Sequence, residues 1–325
     1  MITTNSRPAG SAAAGLNRRT LLKAALVGAL TAGCTGPGPS RSLTIATGEP
    51  GGFYLAFGRL LAAQIDAVEP WLRCTVTETT ASVANIDLLR SGKADLALVL
   101  ADTARAASAG QAPFTTAVDL RAIGRVYENY LQLVVRNDSP VHALSDLDGR
   151  PVSLGATGSG AALTGDRIVS VAGITPQVRH LPLADAVSAL ASGDIDALLW
   201  SGGVPTPALA QLDSTVGIRL LPLDGVLSGL RARYGMLYEQ LPVPSGAYRF
   251  VHEVPTVGVA NLLVALPTLP DDVAGAVVDV LIDRADQLVP HDALGTQFLD
   301  IRTLIGTDDL PLHPGAAQSY RHHHG

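Results

Sequence analysis

Four short stretches carry the residue types that could grip a small molecule. Gly48-Glu49-Pro50-Gly51-Gly52-Phe53-Tyr54 combines glycines, which let a backbone approach closely, with N–H groups that face whatever lies ahead of a following helix. Ser82 and Asn85 stand one helical turn apart at a second helix start. Thr157, Gly158, Ser159 and Gly160 offer hydroxyls and backbone donors, and Ser201-Gly202-Gly203-Val204-Pro205 follows an apolar strand. Unpaired N–H groups and the helix dipole act together on carboxylate or phosphate groups, so this is the chemistry of anion binding without a nucleophile. Taken alone, Ser82 is a helix cap and Gly158-Ser159-Gly160 is a turn. Their coincidence at equivalent places in two halves of the chain points to a site. The expected ligand contacts are Gly48, Gly51, Gly52, Tyr54, Ser82, Asn85, Thr157, Gly158, Ser159, Gly160, Gly203 and Pro205.

Patterns for catalysis or metal binding are missing from the sequence: there is no P-loop, no His-Glu-x-x-His, no paired-cysteine zinc pattern and no Gly-x-Ser-x-Gly elbow. Ser159 sits between glycines at a different spacing and is the candidate nucleophile should the chain be an exported enzyme. His142, His180, His252 and His291 are scattered, and none pairs at metal-ligand spacing. His322-His323-His324, with His313, lies at the C-terminal end, where solvated disorder is the expectation. Asp271-Asp272 and Asp308-Asp309 fall at expected helix starts or loops, where capping explains them. No metal and no cofactor is expected.

The elements that must position these loops follow from pattern. From Ser42 onward, β-like runs alternate with helical spacing, as in parallel sheets of βαβ units. Leu43–Thr47 and Arg73–Thr79 read as strands, and Tyr54 to Val68 as a helix with Leu55, Phe57, Leu60, Leu61 and Ile65 on one face. Leu89-Arg90-Ser91-Gly92-Lys93-Ala94-Asp95-Leu96 echoes Leu190-Ala191-Ser192-Gly193-Asp194-Ile195-Asp196-Ala197: helix, Ser-Gly stop, polar turn, Asp, apolar strand. Two long β-like stretches, 125–135 and 256–264, are placed to cross between lobes. The C-terminal helices, including Asp272 to Leu288, are expected to rejoin the first lobe. Ligands in such open α/β sheets bind beyond the carboxyl ends of the strands.

A length of 325 residues suits two α/β lobes, with 47% hydrophobic residues but only 4% aromatics, so the core must come from Ala, Val, Leu and Ile. A net charge of -6 without a basic stripe argues against nucleic acid as partner. Arg18-Arg19-Thr20-Leu21-Leu22-Lys23, then apolar residues to Ala32 and Gly33-Cys34, read as an export signal too short to span a bilayer. The paired arginines resemble a twin-arginine signal, and Leu30-Thr31-Ala32-Gly33-Cys34 resembles a lipobox with Cys34 as the lipid attachment site. Cys74 reads as a buried free thiol.

The motifs Ala46-Thr47-Gly48-Glu49-Pro50-Gly51-Gly52-Phe53-Tyr54 and Glu78-Thr79-Thr80-Ala81-Ser82-Val83-Ala84-Asn85, followed in order by Ser91–Asp95, Asp146–Gly155, Gly158–Gly160, Gly193–Ala197, Gly202–Pro205 and Pro311–Ala317, resemble the TAXI family. These are solute receptors of tripartite ATP-independent periplasmic (TRAP) transporters. That resemblance implies a type II periplasmic-binding-protein fold: two α/β lobes joined by two crossing strands, with the ligand cleft between them. It implies a small carboxylate ligand, an amino acid or a dicarboxylate such as glutamate, delivered to an ion-gradient-driven TRAP permease. The sequence departs from the family pattern at Leu100-Ala101, where a Gln-Ser pair is common before the Asp matching Asp102, and it lacks a Gly at Ala81. The expected organisation is a signal peptide over 1–34, a tether over 35–42, one lobe from 43–130 with 260–325, and a second from 131–259. The expected protein is exported, lipid-anchored to the outer face of the cytoplasmic membrane, and not an enzyme. A ligand sensor that signals to a membrane partner is the alternative on the same fold, and an exported enzyme using the cleft is a third reading.

Overall fold

Each apolar run after Ser40 forms a strand that buries Leu, Val, Ile and Ala, and each amphipathic segment returns over the sheet as a helix. The computed structural model describes residues 2–3, 41–249, 253–291 and 293–324. The signal segment, Cys34 and the tether up to residue 40 therefore lie outside the described residues, while Arg41 and Ser42, expected as its end, pair with the second strand as the start of the first.

The first set of elements is β1 (Arg41–Ala46), α1 (Phe53–Val68), β2 (Leu72–Thr77), α2 (Ser82–Arg90), β3 (Leu96–Leu100) and α3 (Ala101–Ser108). A long strand, β4 (Arg121–Arg136), leads to the second set: β5 (Pro151–Ser153), α4 (Gly160–Ala172), β6 (Gln177–Arg179), α5 (Leu183–Ser192) and β7 (Ala197–Gly202). α6 (Pro207–Thr215), β8 (Ile218–Leu221), α7 (Leu227–Tyr234) and β9 (Tyr238–Val243) follow, and β10 (Val254–Ala265) returns to α8 (Asp271–Asp283), α9 (Ile301–Leu304) and α10 (Pro314–His324).

The strands join one mixed sheet in the order β2-β1-β3-β10-β4-β7-β5-β6, with β8 beside β4 and β9 beside β10. The echo seen in the sequence is an echo of topology. β1 lies parallel between β2 and β3, as β5 lies parallel between β6 and β7, and β10 or β4 closes each set antiparallel. The repeated Asp has a repeated task. The Asp95 N–H donates to the Thr44 carbonyl at 2.9 Å, and the Asp196 N–H to the Pro151 carbonyl at 2.8 Å, each at the start of its strand. Gly92 and Gly193 take φ of 66° and 82° at the two helix ends, a conformation that favours glycine.

β4 and β10 run through both halves. β4 pairs with β10 over Arg121–Tyr130 and with β7 and β8 over Tyr130–Arg136, while β10 pairs with β9 over Val254–Val259 and with β3 over Asn261–Val264. The C-terminal helices pack on the first set, since Val273, Val277, Ala316 and Tyr320 share a buried cluster with Leu43, Phe57 and Ile65. Cys74 is free and buried, and burial, with Asp66 and Asp95 nearby, pushes its thiol up to about 12.

Several boundaries differ from the pattern reading. β2 ends at Thr77, and beyond it Thr79 Oγ1 accepts the Ala81 N–H at 2.9 Å, which starts a turn. The helix expected through Leu288 ends at Asp283, with a 3-10 turn over Ala285–Gln287. His322, His323 and His324 are exposed, as a solvated end requires, yet they are ordered as the last turn of α10, and His323 Nε2 lies 3.0 Å from Asp279. Among the described residues, no group of three or more His, Cys, Asp or Glu is placed to hold a metal.

Candidate functional site

The carboxyl ends of β1, β2, β5 and β7 deliver their loops to one pocket, with an empty volume of about 410 Å³. From the first half it is lined by Gly48, Glu49, Gly52, Phe53, Tyr54, Thr80, Ala81, Ser82 and Leu100. Ser159, Gly160, Ala161, Trp200, Ser201 and Gly202 line it from the second half, with Asn129 from β4. The starts of α1, α2 and α4 thus converge, and the first-turn N–H groups of a helix have no partner within the helix.

Contact between the halves is close. A Cβ on Gly160 would lie 2.6 Å from both Ser82 Oγ and Leu100 Cδ1, so the α4 start meets the α2 start only because residue 160 has no side chain. Ser82 Oγ accepts the Leu100 N–H at 3.1 Å and lies 3.4 Å from the Tyr54 hydroxyl. Burial raises the Tyr54 phenol well above its ordinary range, Ser82 opposes the rise and Asp102 adds to it, so Tyr54 stays neutral. Ala81, where the TAXI pattern has Gly, sits at φ 85° and ψ -145° ahead of α2, a strained place for a side chain. Ser159 Oγ accepts the Ala162 N–H at 2.9 Å and caps α4.

Among the described residues, no Lys, Arg or His lines the pocket. Its charge comes from dipoles and from one acid: Glu49 Oε2 accepts the Leu183 N–H at the start of α5, 2.6 Å away. Burial raises the Glu49 carboxyl above its ordinary value, the Leu183 N–H opposes this, and Asp185 adds to the rise. Two lining groups, Trp200 Nε1 and Asn129 Oδ1, are buried without a hydrogen-bond partner, although Asn129 Nδ2 donates to Ser201 Oγ at 3.2 Å. Buried polar atoms without partners are uncommon, and here one donor and one acceptor belong to residues that line the same pocket.

Of the twelve residues expected from sequence, Gly48, Gly52, Tyr54, Ser82, Ser159 and Gly160 line the pocket, and six do not. Asn85 is buried beneath it. Its Nδ2 donates to the Thr47 and Leu98 carbonyls at 2.6 and 2.8 Å and its Oδ1 accepts the Thr79 hydroxyl, so the side chain ties β1 to β3. Gly158 accepts the Ala84 N–H through its carbonyl at 3.1 Å, a contact between the halves, while Thr157 is exposed. Gly51 faces Ala208 of α6, and Gly203 packs against the Phe53 ring, which a Cβ would meet at 2.4 Å. Pro205, two residues on, is half-buried and not on the lining. Glu49 and Gly202 lay in the sequence windows without being singled out. Asn129 and Trp200 read as plain strand residues, because alternation along a strand does not say which face meets a cleft.

Behind the pocket, a buried ion pair joins the halves. Asp102 of α3 accepts from Arg167 of α4 at 3.0 Å, from Thr164 at 2.8 Å and from the Tyr238 hydroxyl at 3.0 Å, and Arg167 also lies over the Tyr234 ring. Asp102 therefore faces this cluster, while Leu100, at the first position of the departing Leu100-Ala101 pair, lines the pocket.

The mixed sheet with paired parallel sets, crossed by two long strands and carrying its pocket at the strands' carboxyl ends, is a periplasmic-binding-protein-like α/β fold. Solved structures of that architecture are similar to it. A protein from Bordetella bronchiseptica RB50 matches with a TM-score of 0.55 at 14% identity, covering 87% of this chain and 98% of its own. MatC from Rhodopseudomonas palustris, solved with bound malate, matches with a TM-score of 0.53 at 14% identity, covering 78% and 86%. The aliphatic sulphonate binding protein SsuA from Escherichia coli matches with a TM-score of 0.45 at 20% identity, covering 87% and 83%. Residues 45–323 match the NMT1-like family, and the chain belongs to it.

Proposed function

We propose that this chain is an extracytoplasmic solute receptor that captures a small carboxylate between its two halves and catalyses nothing. The observation that carries the reading is the convergence of three helix starts, from both halves, on a pocket whose lining residues Trp200 and Asn129 hold an unpartnered donor and acceptor. Helix starts favour a carboxylate. Ser159 is occupied as a cap, and Glu49, the one acid on the lining among the described residues, is tied to the Leu183 N–H, which supports binding over attack.

The lobes are 43–130 with 260–325 and 131–259. The change of pairing partner at Tyr130 of β4, and between Val259 and Asn261 of β10, supports these bounds. Closure about those two strands brings Ser82 to Gly160, and a ligand that prefers the closed form shifts the balance. The resemblance to TAXI receptors supports delivery to a TRAP-type permease, and the Leu-Thr-Ala-Gly-Cys run ending at Cys34 supports lipid anchoring at the outer face of the cytoplasmic membrane.

A thermal-shift panel of amino acids, hydroxy acids and dicarboxylates on the purified protein tests the reading. A true ligand at 100 times its Kd stabilises by about 2.7 kcal/mol. No shift with any small carboxylate, or turnover dependent on Ser159, overturns it.

A further inference from the structure

We propose that Glu49 sets the specificity of this site: its carboxylate takes the α5 helix start that a ligand's second carboxylate would otherwise use, so the pocket accepts a small monocarboxylate and rejects dicarboxylates. The inference rests on the receptor reading above and narrows it.

α5 opens with Pro182, which supplies no capping side chain, and its first N–H, at Leu183, is met instead by Glu49 from 134 residues away. Glu49 is at the same time a lining residue, so the group that meets the α5 start belongs to the pocket wall. A ligand with a second carboxylate would bring like charge against Glu49, with Asp185 close behind and, among the described residues, no cation on the lining to offset either. What the pocket leaves open is neutral. Trp200, 9% exposed, presents an unpartnered donor, and Asn129, 2% exposed, an unpartnered acceptor. One carboxylate for the helix starts and the indole N–H, plus one hydroxyl or ammonium for the Asn129 carbonyl, satisfies both groups. Short 2-hydroxy and 2-amino acids carry that pair of functions.

Calorimetric titration of the purified protein with L-lactate, L-alanine, L-malate and L-glutamate tests this, in the wild type, Glu49→Gln and Glu49→Gly. The wild type is expected to bind lactate or alanine at least tenfold more tightly than malate or glutamate. Glu49→Gly, with the α5 start vacated, is expected to gain tenfold or more for the dicarboxylates, and Glu49→Gln, which can still accept the Leu183 N–H without a charge, to gain less. Melting curves check folding, and if Glu49→Gly does not fold, the change of ratio in Glu49→Gln decides. A wild type that prefers the dicarboxylates, or a ratio unmoved by the variants, overturns the role of Glu49 while leaving the receptor standing. A wild type that binds no small carboxylate overturns both.

Discussion

In the second half, Ser159 caps α4 by accepting the Ala162 N–H at 2.9 Å, whereas in the first half the residue ahead of α2 is Ala81, at φ 85° with no capping side chain. Ser82, one position further on, turns its hydroxyl to the Leu100 N–H instead of to its own helix. The topology of the two halves repeats, yet one helix start is relaxed and the other strained, although both border the pocket. Local strain persists where surrounding contacts hold it in place, and such places cluster at binding sites. The difference shows that a repeated layout does not fix how each copy satisfies its helix ends.

Breaking the tie between the halves should have the largest effect. Asp102→Ala leaves Arg167 buried without its charge partner and should cost about 3–5 kcal/mol in a denaturant titration. Next comes Glu128, on the strand that crosses both halves. Burial raises its carboxyl to about 7 from an ordinary value of 4.5, Arg125 opposing and Glu239 and Asp308 adding. Between those two pH values the native chain holds a proton that the unfolded chain has released, so stability falls as pH rises through the window. The decline is on the order of 2–4 kcal/mol, and Glu128→Gln should flatten it in melts run from pH 4 to 8.

The two serines separate the halves more finely. Ser82→Ala removes the acceptor of a buried backbone N–H and should cost about 1–3 kcal/mol. Ser159→Ala removes a cap and should cost about 1 kcal/mol. Equal losses in the melting curves would mean that the two helix starts are held alike. Smallest and opposite in sign is Ala81→Gly, which relieves the positive φ and should raise stability by about 1 kcal/mol.

Much of this was legible in the sequence, for local reasons. The repeated Ser-Gly stop and the following Asp are visible because a helix end needs positive φ and the next strand needs its first N–H anchored. Gly48, Gly52 and Gly160 were legible as close approaches, since glycine beside a helix start has few other uses. Asn85 misled because its spacing from Ser82 gives the turn of the helix but not its rotation, and the amide faces inward to Thr47 and Leu98. Trp200, Asn129 and the reach of Glu49 to Leu183 were hidden, because each depends on how elements far apart in sequence meet. Ala81 gave no sign of strain in the sequence, because its positive φ depends on how the turn after β2 meets α2.

The central claim is that both halves grip one guest. Trp200 reports on it directly, because it lines the pocket and Trp71, bonded to Glu69 at the far side of α1, is the other tryptophan in the chain. In a Trp71→Phe background, indole fluorescence titrated with small carboxylates should change saturably for at least one of them. Gly160→Ala, whose methyl group would press on Ser82 and Leu100, should weaken that response at least tenfold. Fluorescence that stays flat across the panel, or a response untouched by Gly160→Ala, would contradict a shared pocket.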